Sequence, residues 1–217
     1  MRLAWWSACA LIGAAMLCAV GSWRAQAHPH VWITAETTVL YENGTFTGLR
    51  HRWTFDELYS AMETEGLDKN NDGKLDREEL SELASFYVTG LKEYSYFTYP
   101  ALGGQKLALG EPKDIYLEFK DKLLSLNFTV PFAKPVLIDA KGFAFSIYDP
   151  SFFIALDMDK PNSVRLSEGA PKSCKISVGA HAKDTANDAA LNEAFAAQFG
   201  GMGGGSVKAI SVTCGTS

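Results

Sequence analysis

The sequence predicts an α+β protein: antiparallel β-sheets around one core, with an EF-hand helix-loop-helix inserted after the first hairpin and a helix near the C-terminus. Three observations predict it. Residues 30–41 and 45–55 are rich in Val, Ile, Thr and aromatic side chains and flank Asn43-Gly44, the dipeptide that most favours a two-residue hairpin turn. Two segments of helical spacing bracket an acidic stretch at residues 68–79. Residues 186–199 are alanine-rich and run into the glycine-rich 200–205, the pattern of a helix followed by a loop.

The amino-terminal part reads as a secretory signal. Arg2 supplies positive charge, residues 3–20 form an apolar run, and Ala25-Gln26-Ala27 is a small-x-small cleavage site. An apolar run followed at once by such a site argues for removal rather than a permanent membrane anchor. Leu17 stands where a lipoprotein peptidase requires a small residue, which argues against a lipid anchor on Cys18. Cleavage after Ala27 leaves 217 − 27 = 190 residues, enough for one good core or two small lobes. Loss of Arg2 and Arg24 takes Lys+Arg from 20 to 18 against 25 Asp+Glu, a mature charge of −7. Such a surface disfavours nucleic acid and anionic membranes and suits cations as ligands. Of four cysteines, Cys174 and Cys214 remain after cleavage, and export favours their pairing as a disulfide.

Along the mature chain, residues 55–66 carry Phe55, Leu58, Tyr59 and Met62 on one helical face, and Leu80, Leu83, Phe86, Tyr87 and Leu91 form a second stripe. Residues 94–98, 106–109, 115–120, 123–131, 143–148, 152–157, 173–179 and 207–213 read as strands, with a tight turn at Lys120-Asp121. A subdomain boundary at residues 131–141 would divide the mature chain into 28–131, holding the hairpin and the EF-hand, and a β-rich 132–217 with one helix.

The acidic stretch Asp68-Lys-Asn-Asn-Asp-Gly-Lys-Leu-Asp-Arg-Glu-Glu79 fits the EF-hand calcium loop throughout. A hard cation takes about six to eight oxygens. Asp68, Asn70 and Asp72 offer side-chain oxygens at alternate positions, Gly73 permits the sharp turn, and Lys74 offers its carbonyl. Asp76 binds directly or through water, Glu79 closes the site from the exit helix, and Leu75 points into the helix pair. The plain alternative is a polar loop of chance acidity, but chance rarely places Gly73, Leu75 and Glu79 together. No second loop is present to pair with it: residues 157–161 lack the glycine and the closing glutamate. A lone exported site staples a fold more readily than it senses a signal.

Cleavage after Ala27 makes His28 the first residue, so its free amine and imidazole can chelate one ion, with His30 adding a second imidazole. Pro29 has no amide hydrogen, which closes the square-planar mode that needs a deprotonated second amide. Amine and imidazole donors suit copper, nickel, cobalt and zinc. The alternative is a solvated, idle strand start. A plain Asn43-Gly44 hairpin would set Glu36 opposite His51 and leave His30 and His51 on one face but about 20 Å apart, at ~3.4 Å per residue. His51 is then a poor third ligand, and His181 follows a strand with no position fixed by sequence.

His28-Pro-His-Val-Trp32, Trp53-Thr-Phe-Asp56, the acidic loop after it and Tyr148-Asp-Pro150 resemble the periplasmic family called domain of unknown function 1007, over the whole mature chain. Members are exported bacterial proteins, many encoded beside nickel/cobalt exporters. The resemblance implies divalent metal handling and brings no catalytic residues with it. Asp56 reads as a helix cap or a partner of Trp53. Tyr94, Tyr96, Phe97 and Tyr99 read as strand core rather than a binding platform.

The function expected is a periplasmic or secreted metal-binding accessory protein. It would carry calcium at Asp68, Asn70, Asp72, Lys74, Asp76 and Glu79, and a transition metal (Ni2+, Co2+, Zn2+ or Cu2+) at His28 and His30. A membrane metal transporter is its expected partner. Two rival classes are a secreted copper oxidase with an amino-terminal histidine brace and a calcium-stapled envelope interaction protein. No serine-histidine-acid or cysteine-histidine arrangement is present in the sequence.

Overall fold

A computed structural model describes residues 30–151, 153–180 and 207–215. Alternating apolar and polar side chains build β1 (Val31–Glu42) and β2 (Thr45–Phe55), joined through Asn43 and Gly44 with φ of 46° and 82°. The hairpin keeps a plain two-residue register only at its tip, where Tyr41 faces Phe46 and Glu42 faces Thr45. A bulge then puts Leu40 opposite Gly48 and shifts every later pair by one residue, so that Thr37, not Glu36, faces His51. Gly48 is required there: an added Cβ would meet Val130 O at 2.6 Å and Pro131 Cα at 2.8 Å.

Two helices follow, α1 (Glu57–Thr64) and α2 (Ser81–Leu91). After a tight turn at Lys92–Phe97 come β3 (Thr98–Leu102), β4 (Gln105–Lys106), β5 (Lys113–Lys120), β6 (Leu123–Leu137), β7 (Phe143–Ile147), β8 (Ile154–Asp157), β9 (Val164–Leu166), β10 (Cys174–Ala180) and β11 (Lys208–Cys214). One sheet runs β5-β6-β2-β1-β8, with β9 also on β1; the other runs β10-β11-β7-β3-β4. Trp53, Phe46, Leu49 and Phe128 of the first meet Phe143, Phe145, Ile147, Ile210 and Val212 of the second in one core. Cys174 and Cys214 sit directly opposite each other on β10 and β11 and are disulfide-bonded, the pairing expected from the sequence.

The architecture is therefore mostly β, in two sheets, and not α+β with an inserted EF-hand helix-loop-helix. The helices stop short of the acidic loop. Glu65 turns extended and Gly66 takes φ 75°, which ends α1 before Asp68. Glu79 lies in a turn ahead of Ser81 rather than on the exit helix. The sheets are not purely antiparallel either, since β8 and β9 both pair with β1 in parallel.

Local corrections have local causes. In α1 the buried Ser60 hydroxyl accepts the Leu124 amide at 2.9 Å and turns Tyr59 inward. Leu58 and Met62 are left 73% and 66% exposed, off the expected face. Residues 94–97 form a turn, not a strand, because Ser95, Tyr96 and Phe97 all take positive φ (53°, 54° and 47°). Left-handed backbone costs about 1–2 kcal/mol per non-glycine residue. The burial of the Tyr96 and Phe97 rings offsets it. The C-terminal helix expected at 186–199 and the glycine run at 200–205 lie outside the described residues.

Candidate functional site

The acidic loop is organised from within. Asp68 accepts the amides of Asp72 (3.2 Å) and Gly73 (2.9 Å), Asn70 Oδ1 accepts Asp72 N (2.8 Å), and Asp72 accepts Lys74 N (2.8 Å). Asp76 accepts the amides of Glu78 and Glu79 at 2.8 and 2.9 Å. Glu79 reaches back across the ring: Oε1 accepts Lys69 N at 2.9 Å and Oε2 accepts Asp76 N at 3.2 Å. Gly73 takes φ 80°, the turn its position requires. Leu75 packs toward the core. The donor set is all oxygen, four carboxylates and one side-chain amide, with the Lys74 carbonyl beside them, and so has the chemistry a hard cation takes. In the described geometry these oxygens serve the loop's own amides, and among the described residues no three His, Cys, Asp or Glu side chains are gathered as ligands of one metal ion.

Arg77, inside the same loop, fastens it to the first sheet. Its guanidinium lies 3.8 Å from the centre of the Tyr116 ring and pairs with Glu118 at 3.2 Å; Glu118 also pairs with Arg52 of β2 at 3.5 Å. On the helix side the Tyr87 hydroxyl donates to Glu63 at 2.8 Å, and burial pushes the Tyr87 phenol well above its ordinary pKa.

His30 is exposed at the start of β1. Its amide donates to Phe153 O at 2.9 Å, and its ring lies 4.6 Å from that of Phe153. The segment that presents Phe153 is shaped by Asp149, a buried carboxylate that accepts the amides of Ser151 (2.8 Å) and Ile154 (3.0 Å) and the Ser151 hydroxyl. Two residues on, Trp32 N donates to Asp56 Oδ2 at 3.2 Å, while Asp56 Oδ1 accepts Tyr59 N at 2.9 Å and so caps α1. The stretches containing His30, Trp32, Asp56 and Asp149 thus meet at one end of the first sheet. Tyr99, its ring tilted 37° to that of Tyr148 with centres 4.6 Å apart, stands nearby; burial is the main cause raising its phenol to about 12. His28, Pro29 and His181 lie outside the described residues.

His51 occupies the core instead. The bulge that shifts the hairpin turns it to the buried face beside Thr37. Nδ1 lies 3.0 Å from Thr37 Oγ1 and Nε2 lies 3.3 Å from Thr98 Oγ1. Thr98 spends its single hydroxyl proton on Tyr96 O at 2.7 Å, so it accepts from Nε2–H, and Thr37 donates to Nδ1. Burial lowers the pKa to about 3. This neutral ring bridges the two sheets and is closed to a metal at the amino-terminal end. Its role was missed in sequence because Thr98 belongs to the other sheet; the one hint is a histidine in register with Leu49, Trp53 and Phe55.

A family model described as "Protein of unknown function (DUF1007)" matches residues 13–214. An uncharacterized protein of Haemophilus influenzae is 27% identical over 154 residues, covering 71% of this chain and 73% of its own. An uncharacterized 15.5 kDa protein in the trpE 3' region of Spirochaeta aurantia is 33% identical over 112 residues, 50% of this chain and 79% of its own. No solved structure matches the chain.

Proposed function

The chain belongs to the DUF1007 family of unknown function, and from that premise we propose that it is an exported, periplasmic metal-binding accessory protein serving divalent metal transport or buffering. In this reading calcium at residues 68–79 stiffens the fold, and His28 with His30 takes a transition metal. The observation that carries it is the inward turn of the loop. Asp68, Asp72, Asp76 and Glu79 already direct oxygens at amides of the loop itself, and Glu79 bridges its two ends. A calcium ion would exchange those amide contacts for coordination to Asp68, Asn70, Asp72, the Lys74 carbonyl, Asp76 and Glu79. The exposed His30, anchored through its backbone to Phe153, leaves its imidazole available beside the start of the mature chain. The disulfide and the apolar leader support export. Among the described residues no helix is long and apolar enough to cross a membrane.

The test compares protein processed before His28 with a form that keeps one extra residue ahead of it. Copper, nickel, cobalt and zinc are titrated into both, in calcium. The reading expects tighter binding by the processed form, weakening in acid as protons compete with the metal for its ligands. Equal binding by the two forms would remove the amine from the site. No binding by either would reduce the metal chemistry to calcium alone.

A further inference from the structure

Among the described residues the three most exposed large apolar side chains share one pair of helices: Leu58 (73%) and Met62 (66%) on α1 and Phe86 (73%) on α2. Apolar side chains scattered singly over a surface are ordinary, whereas a cluster marks a place of contact. The helices meet through Tyr87, whose hydroxyl donates to Glu63 and whose ring, like that of Tyr59, lies against Phe55. Leu58 and Met62, one turn apart, line up on the side of α1 away from the buried Ser60. Phe86 lies across α2 from the buried Ala84 and Val88, with its ring 6.3 Å from that of Tyr87. The two outer faces thus form one apolar strip over the seam between the helices. The strip sits in an acidic setting. Residues 56–93 hold eleven Asp and Glu and four Lys and Arg, 4 − 11 = −7, against −5 for the whole chain. Glu57 is paired with Lys122 at 3.8 Å. Glu65, three residues after Met62, and Glu82, one turn before Phe86, are exposed and have no ion pair among the described residues.

We propose that this face binds a cationic amphipathic helix of a partner protein, with the apolar stripe of that helix on Leu58, Met62 and Phe86 and its lysines or arginines over Glu65 and Glu82. Such helices dock through apolar anchors one turn apart, and opposite charge at the rim fixes their orientation and rejects other partners. Met62 suits this use, because a flexible thioether adapts to the chain laid on it. Charge disfavours the other occupants. A second copy would bring the same acidic segment against it, and an anionic membrane is repelled likewise. Residues 183–199 of this chain carry Lys183 against Asp184, Asp188 and Glu193, and so do not supply the complementary charge. The proposal uses no metal and rests on neither the calcium nor the histidine reading.

The test is calorimetric titration of the oxidised mature chain, in EDTA so that no metal contributes, with a synthetic Leu/Lys peptide of about 14 residues whose leucines fall on one helical face. A peptide of the same composition in scrambled order, with no apolar face, is the control. Saturable one-to-one binding is expected, weaker at higher salt. It should fall about tenfold or more for the scrambled peptide and for a variant carrying Met62→Gln and Phe86→Ser, and severalfold for one carrying Glu65→Gln and Glu82→Gln. All four substitutions fall on exposed side chains, and an unchanged urea midpoint checks that each variant is folded. Absence of saturable binding by the wild-type chain overturns the proposal. Equal binding of the scrambled peptide overturns it, because charge alone would then be at work. Equal binding by either variant overturns it by putting the peptide elsewhere. A wild-type dimer, or adsorption to phosphatidylcholine vesicles, that the Met62→Gln and Phe86→Ser variant loses, without peptide binding, gives the face to another occupant and overturns it too.

Discussion

In the loop at residues 68–79, Asp68, Asp72, Asp76 and Glu79 find amide donors no more than ten residues away in the chain. Around His51 the partners are 14 and 47 residues away, and Thr98 comes from the opposite sheet. Both regions satisfy polar groups, but the loop does so with its own backbone at the surface and the core does so across the fold. The difference governs what each can tolerate. Water can replace any single contact in the loop. Nothing replaces one beside His51, where a lost partner leaves a buried polar atom bare.

Breaking the core should therefore cost most. His51→Ala removes a fully buried ring and orphans the Thr37 hydroxyl, an expected loss of about 3–5 kcal/mol in urea unfolding. The same residue predicts acid sensitivity. Its folded pKa is about 3 against an ordinary 6.5, so above pH 6.5 both folded and unfolded states are neutral and stability is complete. As pH falls through 6.5 the unfolded chain takes the proton and the folded chain does not, so up to about 1.4 kcal/mol is lost per pH unit down toward the folded value. Thr98→Val, a milder change, keeps the titrating ring. It should retain this slope, which His51→Ala flattens. Parallel pH profiles for wild type and His51→Ala would show that the ring is not buried neutral.

Reducing the disulfide comes next. It closes a separation of 40 residues between β10 and β11. Its loss should cost about 2–4 kcal/mol, read as a shift of the urea midpoint with and without reductant. An unmoved midpoint would mean that the last strand is held by its packing, through Ile210 and Val212, without help from the covalent link.

The loop should show a smaller and conditional effect. Calcium at a hundredfold excess over its dissociation constant would raise stability by about 2.7 kcal/mol, and the melting temperature with it. Glu79→Gln should lose most of that gain and little else, because the carboxylate's amide contacts at 2.9 and 3.2 Å are local and exposed. A melting temperature indifferent to calcium in both forms removes calcium from the loop.

What could be read in the sequence follows the same division. The first hairpin was legible because Asn43-Gly44 and residues on either side of it decide the turn, and its limits, Val31–Glu42 and Thr45–Phe55, lie close to the expected ones. Its register beyond the tip was not, because the bulge answers to Val130 and Pro131 packed on Gly48 from β6. The loop's turn at Gly73 and the cap at Asp56 were legible for the same local reason. Residues 94–97 misled because their aromatic pattern fits a strand, while burial of Tyr96 and Phe97 holds them in a left-handed turn. The fold class failed at the joints, where Glu65 and Gly66 end α1 before the acidic loop. The meeting of His30 with Phe153, or of Trp32 with Asp56, is a property of the assembled sheet that no local pattern encodes.

The smallest expected effect asks whether the two regions communicate. Arg77 is the one loop side chain with an ion-pair or cation–π partner in the first sheet among the described contacts of residues 68–79, through Tyr116 and through Glu118 to Arg52 on β2, next to His51. Its side chain is 63% exposed and that of Glu118 is 35% exposed, so solvent screens the pair. Exposed ion pairs and cation–π contacts contribute about 0.2–1 kcal/mol each. Arg77→Ala should therefore lower stability by about 1 kcal/mol or less, and added salt should narrow the gap by weakening the ion pair in the wild type. A double-mutant cycle with Glu118→Ala isolates the contact, since each single change leaves the other residue free to meet water. Coupling of a few tenths of a kcal/mol would mean that the loop is tethered but energetically separate from the core. Coupling that doubles in calcium would mean that ordering the loop fixes Arg77 on Tyr116, and that the surface region stiffens the sheet behind it. Zero coupling in both conditions would leave the loop held by its own amides, by the packing of Leu75 toward the core and by the helices that flank it.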